Sequence, residues 1–245
     1  MRDVLLCLAQ DIAWFKRTNT MKAPCDSHCD TLILSPHIDD EVLGCFSFLI
    51  SGTFVLFGGV ESRPGNPSSE RIEELNASKQ ALGFDVEILD NTVNAYVANE
   101  LIAVFESTIQ RLRPCTVLFP VPSYNQDHRA FNDAALVATR PHDTLHRVNR
   151  VLSFEQPHSQ LWPYSTLPPP AYHRPISIDE KLTAYARYES QVRGHRSPAT
   201  VAALAAMRGA EIGVPHAEAF HVHRWVDAVQ AGINTHAHSL PKKDT

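Results

Sequence analysis

"TLILSPHIDDEVLGC", residues 31–45, decides the fold. Its first five residues carry no polar alternation, the pattern of a strand covered on both faces. Pro36 ends that run, and His37, Asp39, Asp40 and Glu41 follow at once. A parallel sheet accounts for the juxtaposition, because ligands bind beyond the carboxyl ends of its strands.

The pattern repeats outward. "TFVLFGGV" (53–60), "DVEIL" (85–89) and "CTVLFP" (115–120) read as further short strands. Between them lie expected helices at 42–50, from a Ser69 cap to a stop at Gly83, and over "ELIAVFESTIQRLR" (100–113), whose apolar residues recur at helical spacing before Pro114. Alternating strands and helices predict an α/β, Rossmann-like three-layer fold with a mostly parallel central sheet. Beyond residue 150 the pattern loosens. "VLSFEQ" (151–156) and "PISID" (175–179) read as strands around the Pro-rich "LWPYSTLPPPAYHRP", with helices at 178–193 and 198–212. The expected organisation is an N-terminal extension over 1–29, one domain over 30–232 and a mobile tail over 233–245. The extension has Val4, Leu5, Leu8, Ile12 and Phe15 at helical spacing, with residues 22–29 as a linker.

The chain has 245 residues, 44% of them hydrophobic, enough for one substantial core. The net charge of −5 and the lack of a basic run argue against nucleic acid or an anionic membrane as partner. No segment reaches the roughly 20 apolar residues that span a bilayer. The N-terminus lacks the apolar region and small-residue cleavage site of a secretory signal. A cytoplasmic protein with reduced thiols is expected, since five cysteines form no paired framework and no complete zinc motif. A homo-oligomer is compatible with all of this.

Two polar clusters fall at strand ends. One is residues 36–41; the other is "VPSYNQDHRAFNDAA" (121–135), after "CTVLFP". Together they supply His37, Asp40 and His128, two imidazoles and one carboxylate, a set that suits zinc with a fourth position open. Such an ion makes hydroxide available at neutral pH, and Asp39 would be the general base beside it. The bland alternative is that the acidic turn only caps the helix beginning near 42, satisfying its free N–H groups and dipole. The His37-x-x-Asp40 spacing does not separate the two.

These residues resemble those of the PIG-L/LmbE-like zinc-dependent N-deacetylases. "SPHIDDEVLGC" is similar to their A-H-P-D-D-E signature and "NQDHRAFNDAA" to their H-P-D-H-R-A motif. "ERIEELNASKQALGF", "KLTAYARYESQV" and "RGAEIGVPHAEAF" resemble later segments, so the likeness covers about residues 30–226. It implies removal of an N-acetyl group from an amino sugar or glycoconjugate, using Zn2+ or another divalent metal such as Fe2+. His37, Asp40 and His128 would hold the metal and Asp39 would be the base. Asn125 stands where the family often has a histidine that aids the substrate carbonyl; it would serve as a neutral donor, or Tyr124, His221 or His223 would cover the role. Arg71, Asp90 and Arg129 are candidate substrate contacts, with ordinary structural roles as the alternative. Other readings keep the site and change the bond, to an amide of a thiol conjugate or a natural-product intermediate, or keep the fold as a binding protein.

Overall fold

The computed structural model describes residues 29–65, 67–142 and 146–227. The expected N-terminal helix and mobile tail, and nearly all of the expected linker, lie outside the described residues. The seven strands of the sheet are β1 (Thr31–Ser35), β2 (Thr53–Phe57), β3 (Asp85–Ile88), β4 (Thr116–Pro120), β5 (Arg150–Phe154), β6 (Tyr172–Pro175) and β7 (Ala217–Trp225). Their order is β3-β2-β1-β4-β5-β7-β6. The first five pair in parallel, while β7 runs antiparallel to both β5 and β6.

Side-chain alternation along each strand makes the three layers. In β1, Ile33 enters one core and Leu32 and Leu34 the other. The Ile33 face is covered by helices α1 (Asp40–Cys45), α2 (Ser68–Leu82), α6 (Ile178–Tyr185) and α7 (Pro198–Ala210), which bring Leu43, Leu75, Tyr185 and Val201. The opposite face is covered by α3 (Ala98–Leu112) and α4 (Gln126–Ala138), through Leu101, Phe105, Ile109, Phe131 and Ala134. Helix α2 ends at Gly83, whose φ of 81° suits a residue without Cβ. A short helix, α5 (Pro157–Leu161), follows β5. No helix among the described residues is long and apolar enough to cross a membrane.

Three expectations need correction, and one strand was not expected. "PISID" is not a strand: β6 ends at Pro175, and the Ser177 hydroxyl accepts the Glu180 N–H to start α6. The helix expected over 178–193 ends at Tyr185 and gives way to 3-10 turns at Glu189–Gln191 and Gly194–Arg196. Strand β7 has no counterpart in the sequence reading, because Glu218, His221, His223 and Arg224 break its apolar run. Cys115 is disulfide-bonded rather than reduced, whereas Cys45 is a buried free thiol.

A buried ion pair ties α1 to this half of the sheet. Glu218 accepts the N–H groups of Phe46 and Ser47, each at 2.9 Å, and the Lys181 ammonium at 2.7 Å. Lys181 also donates to the Leu43 carbonyl at 2.8 Å. Lys181→Met is expected to cost about 3 kcal/mol, because it leaves the Glu218 carboxylate buried without its counter-charge. Urea unfolding checks this, and the double variant with Glu218→Gln should recover part of the loss.

Candidate functional site

The order β3-β2-β1-β4-β5 reverses direction between β1 and β4, so a crevice opens beyond their carboxyl ends. Both polar clusters stand there. His37 and Asp40 follow β1, and His128 lies in the first turn of α4, which follows β4. The second cluster is thus largely helical. Asp40 Oδ2 is 3.2 Å from His37 Nδ1 and 3.2 Å from His128 Nε2. One ligand atom from each of the three residues lies within 4.8 Å of the others, an arrangement that can hold a metal ion. Two imidazole nitrogens and a carboxylate fit a divalent ion such as zinc.

Neighbouring groups hold that arrangement. His37 Nε2 meets the buried Asp127 Oδ2 at 3.0 Å, which leaves Nδ1 toward Asp40. Asp127 also accepts the N–H groups of Asn94 at 2.6 Å and Tyr96 at 3.3 Å. Burial alone would raise the Asp127 carboxyl, but these donors hold it below its usual range. Burial disfavours a charged His37, yet Asp127 and Asp40 outweigh it and push the imidazole up to about 9. The buried Asp40 carboxyl is held well below its ordinary value by His128 and His37, against desolvation. Gln156 Nε2 fixes its other oxygen at 2.8 Å. Neither Asp127 nor Gln156 was singled out from sequence. Asp127 carried a signal, as an acidic residue directly before the candidate ligand His128; Gln156 carried none.

Asp39 takes different partners from Asp40. Its φ is 114°, a conformation that L-residues rarely adopt. Two contacts sustain it: Glu41 Oε2 accepts the Asp39 N–H at 3.0 Å, and the buried Arg71 guanidinium donates to the Ile38 carbonyl. The Asp39 side chain does not cap α1; Asp40 Oδ2 and Glu41 Oε2 instead accept the N–H groups of His37 and Asp39, each at 3.0 Å. Arg196 Nη1 stands 2.8 Å from Asp39 Oδ2 as an ion pair, but neither carboxylate oxygen receives a well-directed hydrogen bond from the described residues. Burial pushes the Asp39 carboxyl up to about 6 despite Arg196. Glu41 orients the turn and accepts the Tyr188 hydroxyl at 2.5 Å; burial pushes its carboxyl up to about 8.

The other candidates sit as follows. Asn125 caps α4, its Oδ1 accepting the Asp127 N–H at 2.8 Å. Arg71 lies beneath the Ile38 carbonyl and 3.8 Å from Glu74, not at the surface. Glu74 in turn accepts the Ser190 N–H and hydroxyl. Arg129 braces its own loop through the carbonyls of Ser123 and Tyr124, at 2.8 and 2.9 Å. Tyr124 is largely exposed against Tyr164. His221 and His223 lie on β7 and pair with Glu155 and Ser153, so they are not in the cluster. His158, unremarked in the sequence, stands edge-on to His128 with ring centroids 5.0 Å apart. Burial and His128 push its imidazole down to about 3, so it is neutral.

Asp90 lines a polar cleft of about 520 Å³ formed by residues 60–63 and 90–94. Asn94 belongs to this cleft and donates to Asp127, so the cleft abuts the cluster. Carboxylates from Glu61 and Asp90 face one guanidinium, Arg63, which lies 2.5 Å from Glu61.

No protein-family model matches the chain, and no curated protein matches it. Solved structures do. The conserved protein TT1542 from Thermus thermophilus is 25% identical, with a TM-score of 0.69 over 82% of this chain and 97% of its own. N,N'-diacetylchitobiose deacetylase from Pyrococcus horikoshii is 17% identical, with a TM-score of 0.64 over 80% and 84%. GalB from Pseudomonas putida KT2440, a 4-carboxy-2-hydroxymuconate hydratase, is also 17% identical at 0.64, over 82% and 99%. The chain shares its fold with these three proteins, N,N'-diacetylchitobiose deacetylase among them.

Proposed function

We propose that the chain is a metal-dependent hydrolase that removes an N-acetyl group from an amino sugar or sugar conjugate, a member of the PIG-L/LmbE-like family. The observation that carries this reading is the convergence of His37, Asp40 and His128 beside an Asp39 carboxylate that has no hydrogen-bond donor among the described residues. The three ligands would hold Zn2+, with Fe2+ as the alternative. A bound zinc ion would act as a Lewis acid on the amide carbonyl and lower the pKa of water.

The chain's own residues do the rest. Asp39 accepts a proton from the attacking water, whose oxygen joins the acyl carbon. The carbon–nitrogen bond then breaks, and Asp39 returns the proton to the departing amine, so that amide and water become acetate and a protonated amine. Asp127 and Gln156 keep His37 and Asp40 aimed. The polar cleft beside them offers Asp90, Glu61 and Asn91 to sugar hydroxyls.

The hydratase among the solved relatives motivates a second reading, addition of water to a carbon–carbon double bond. The cleft argues against it, since two carboxylates and one paired arginine repel a polycarboxylate such as the one that names that hydratase. Zinc-loaded protein should release acetate from an N-acetylhexosamine derivative within a panel of sugars, nucleotide sugars, glycolipids and bulkier amides. Absence of acyl release across that panel, or turnover confined to unsaturated acids, would overturn the reading.

A further inference from the structure

We propose that His158 is a further catalytic residue of this site, donating an N–H from Nε2 to the acyl oxygen of the substrate as that oxygen gains charge. The proposal rests on the deacetylase reading above. His158 Nε2 is closed to water and has no hydrogen-bond partner among the described residues. An orphan of this kind costs about 1–3 kcal/mol and calls for an explanation in a native structure. It is not isolated. Both Asp39 carboxylate oxygens and Arg196 Nε are orphaned in the same way. Arg196 pairs with Asp39, and α5, which carries His158, packs against the turn that carries Arg196. Hydrolysis of an amide needs an acceptor for the proton of water and a donor for the developing oxyanion. Asp39 supplies the first and His158 the second.

His158 is placed firmly. It follows Pro157 at the start of α5, where Ser159 Oγ accepts the Gln156 N–H at 3.1 Å and donates to the Gln156 carbonyl at 2.8 Å. Gln156 is the residue that holds Asp40, so the donor and the carboxylate ligand are positioned from one point. The edge-on ring against His128 keeps His158 at the cluster, yet its nitrogens fall outside the group of ligand atoms within 4.8 Å. That separates it from the ligands. Two other imidazoles near the sheet are engaged elsewhere, His221 with Glu155 and His223 with Ser153.

The test compares zinc-loaded wild type with His158→Phe, which keeps the ring, and His158→Gln, which restores an N–H near the Nε2 position. Metal content and affinity against a chelator should stay at the wild-type level in both. Turnover should fall about 10²–10³-fold in His158→Phe with KM little changed. His158→Gln should recover at least about tenfold of that loss. Calorimetric titration with acetate reads the same donor without turnover: affinity should fall about tenfold in His158→Phe and return in His158→Gln. Unchanged turnover and acetate affinity in His158→Phe overturns the proposal. So does loss of metal, which would make His158 a ligand, or equal damage in both variants, which would make it a packing residue. A wild type that cleaves no amide overturns the deacetylase reading instead, and the acetate titration then decides the donor by itself: weakening only in His158→Phe supports it, and any other result, including no measurable binding to wild type, overturns it.

Discussion

An Asp39→Asn variant is expected to keep one metal ion per chain and to lose about 10²–10⁴-fold in turnover. The division of labour at residues 37–41 requires this outcome. Asp40 directs one oxygen at both imidazoles and the other at Gln156, so its carboxylate is fully engaged by the cluster. Asp39, held at a φ of 114°, keeps its carboxylate out of those contacts, with an ion pair to Arg196 and no well-directed hydrogen bond from the described residues. Asparagine preserves the shape of that side chain and removes the basic oxygen. His37→Ala, Asp40→Ala and His128→Ala should do the reverse, leaving purified protein with little or no bound zinc. Metal analysis beside acetate-release kinetics distinguishes the two classes. Full turnover in Asp39→Asn would remove Asp39 as the base. Full metal content in any of the three alanine variants would remove that residue from the ligand set.

Much of this was legible in the sequence because the decisive features are local. β1 coincides with the strand read at residues 31–35, since an uninterrupted apolar run bounded by Pro36 has few other uses. The meeting of His37, Asp40 and His128 followed from topology, because the two strands preceding them are neighbours where the sheet changes direction. What escaped notice depends on contacts distant in sequence. Gln156 reaches Asp40 across 116 positions, and Tyr188 reaches Glu41 across 147. Arg196 lies in a 3-10 turn that carries no periodic signal. β7 went unread because its polar residues are buried with partners: Glu218 with Lys181, His221 with Glu155. A buried charge looks like a surface residue until its counter-charge is located. Arg71 shows the converse. It sits in an exposed-looking helix, yet supports the strained turn from below.

Metal affinity should rise about tenfold from pH 7 to 8 and about fivefold from pH 8 to 9, a total of about 50-fold, because a proton must leave His37 as the ion enters. The sign follows from the groups around the ring. Burial disfavours the imidazolium, but the Asp127 and Asp40 carboxylates together push His37 up to about 9. In the metal-free protein that proton stabilises the fold below the ordinary histidine pKa of about 6.5, and the contribution is lost as pH rises through about 9. A metal ion needs the deprotonated Nδ1, so it competes with the proton throughout that window. An ordinary histidine would already be neutral at pH 7 and would give a flat profile above it. Asp127→Asn tests the cause. Losing the carboxylate behind His37 should weaken binding about 10–100-fold at pH 9, where the ring is half deprotonated and its orientation and basicity count most. At pH 7 the deficit should shrink, because the variant no longer holds the competing proton as tightly. Competition with a chromophoric chelator across pH 6–9 reads both slopes. Parallel slopes for wild type and Asp127→Asn would show that Asp127 orients the ring without holding its proton.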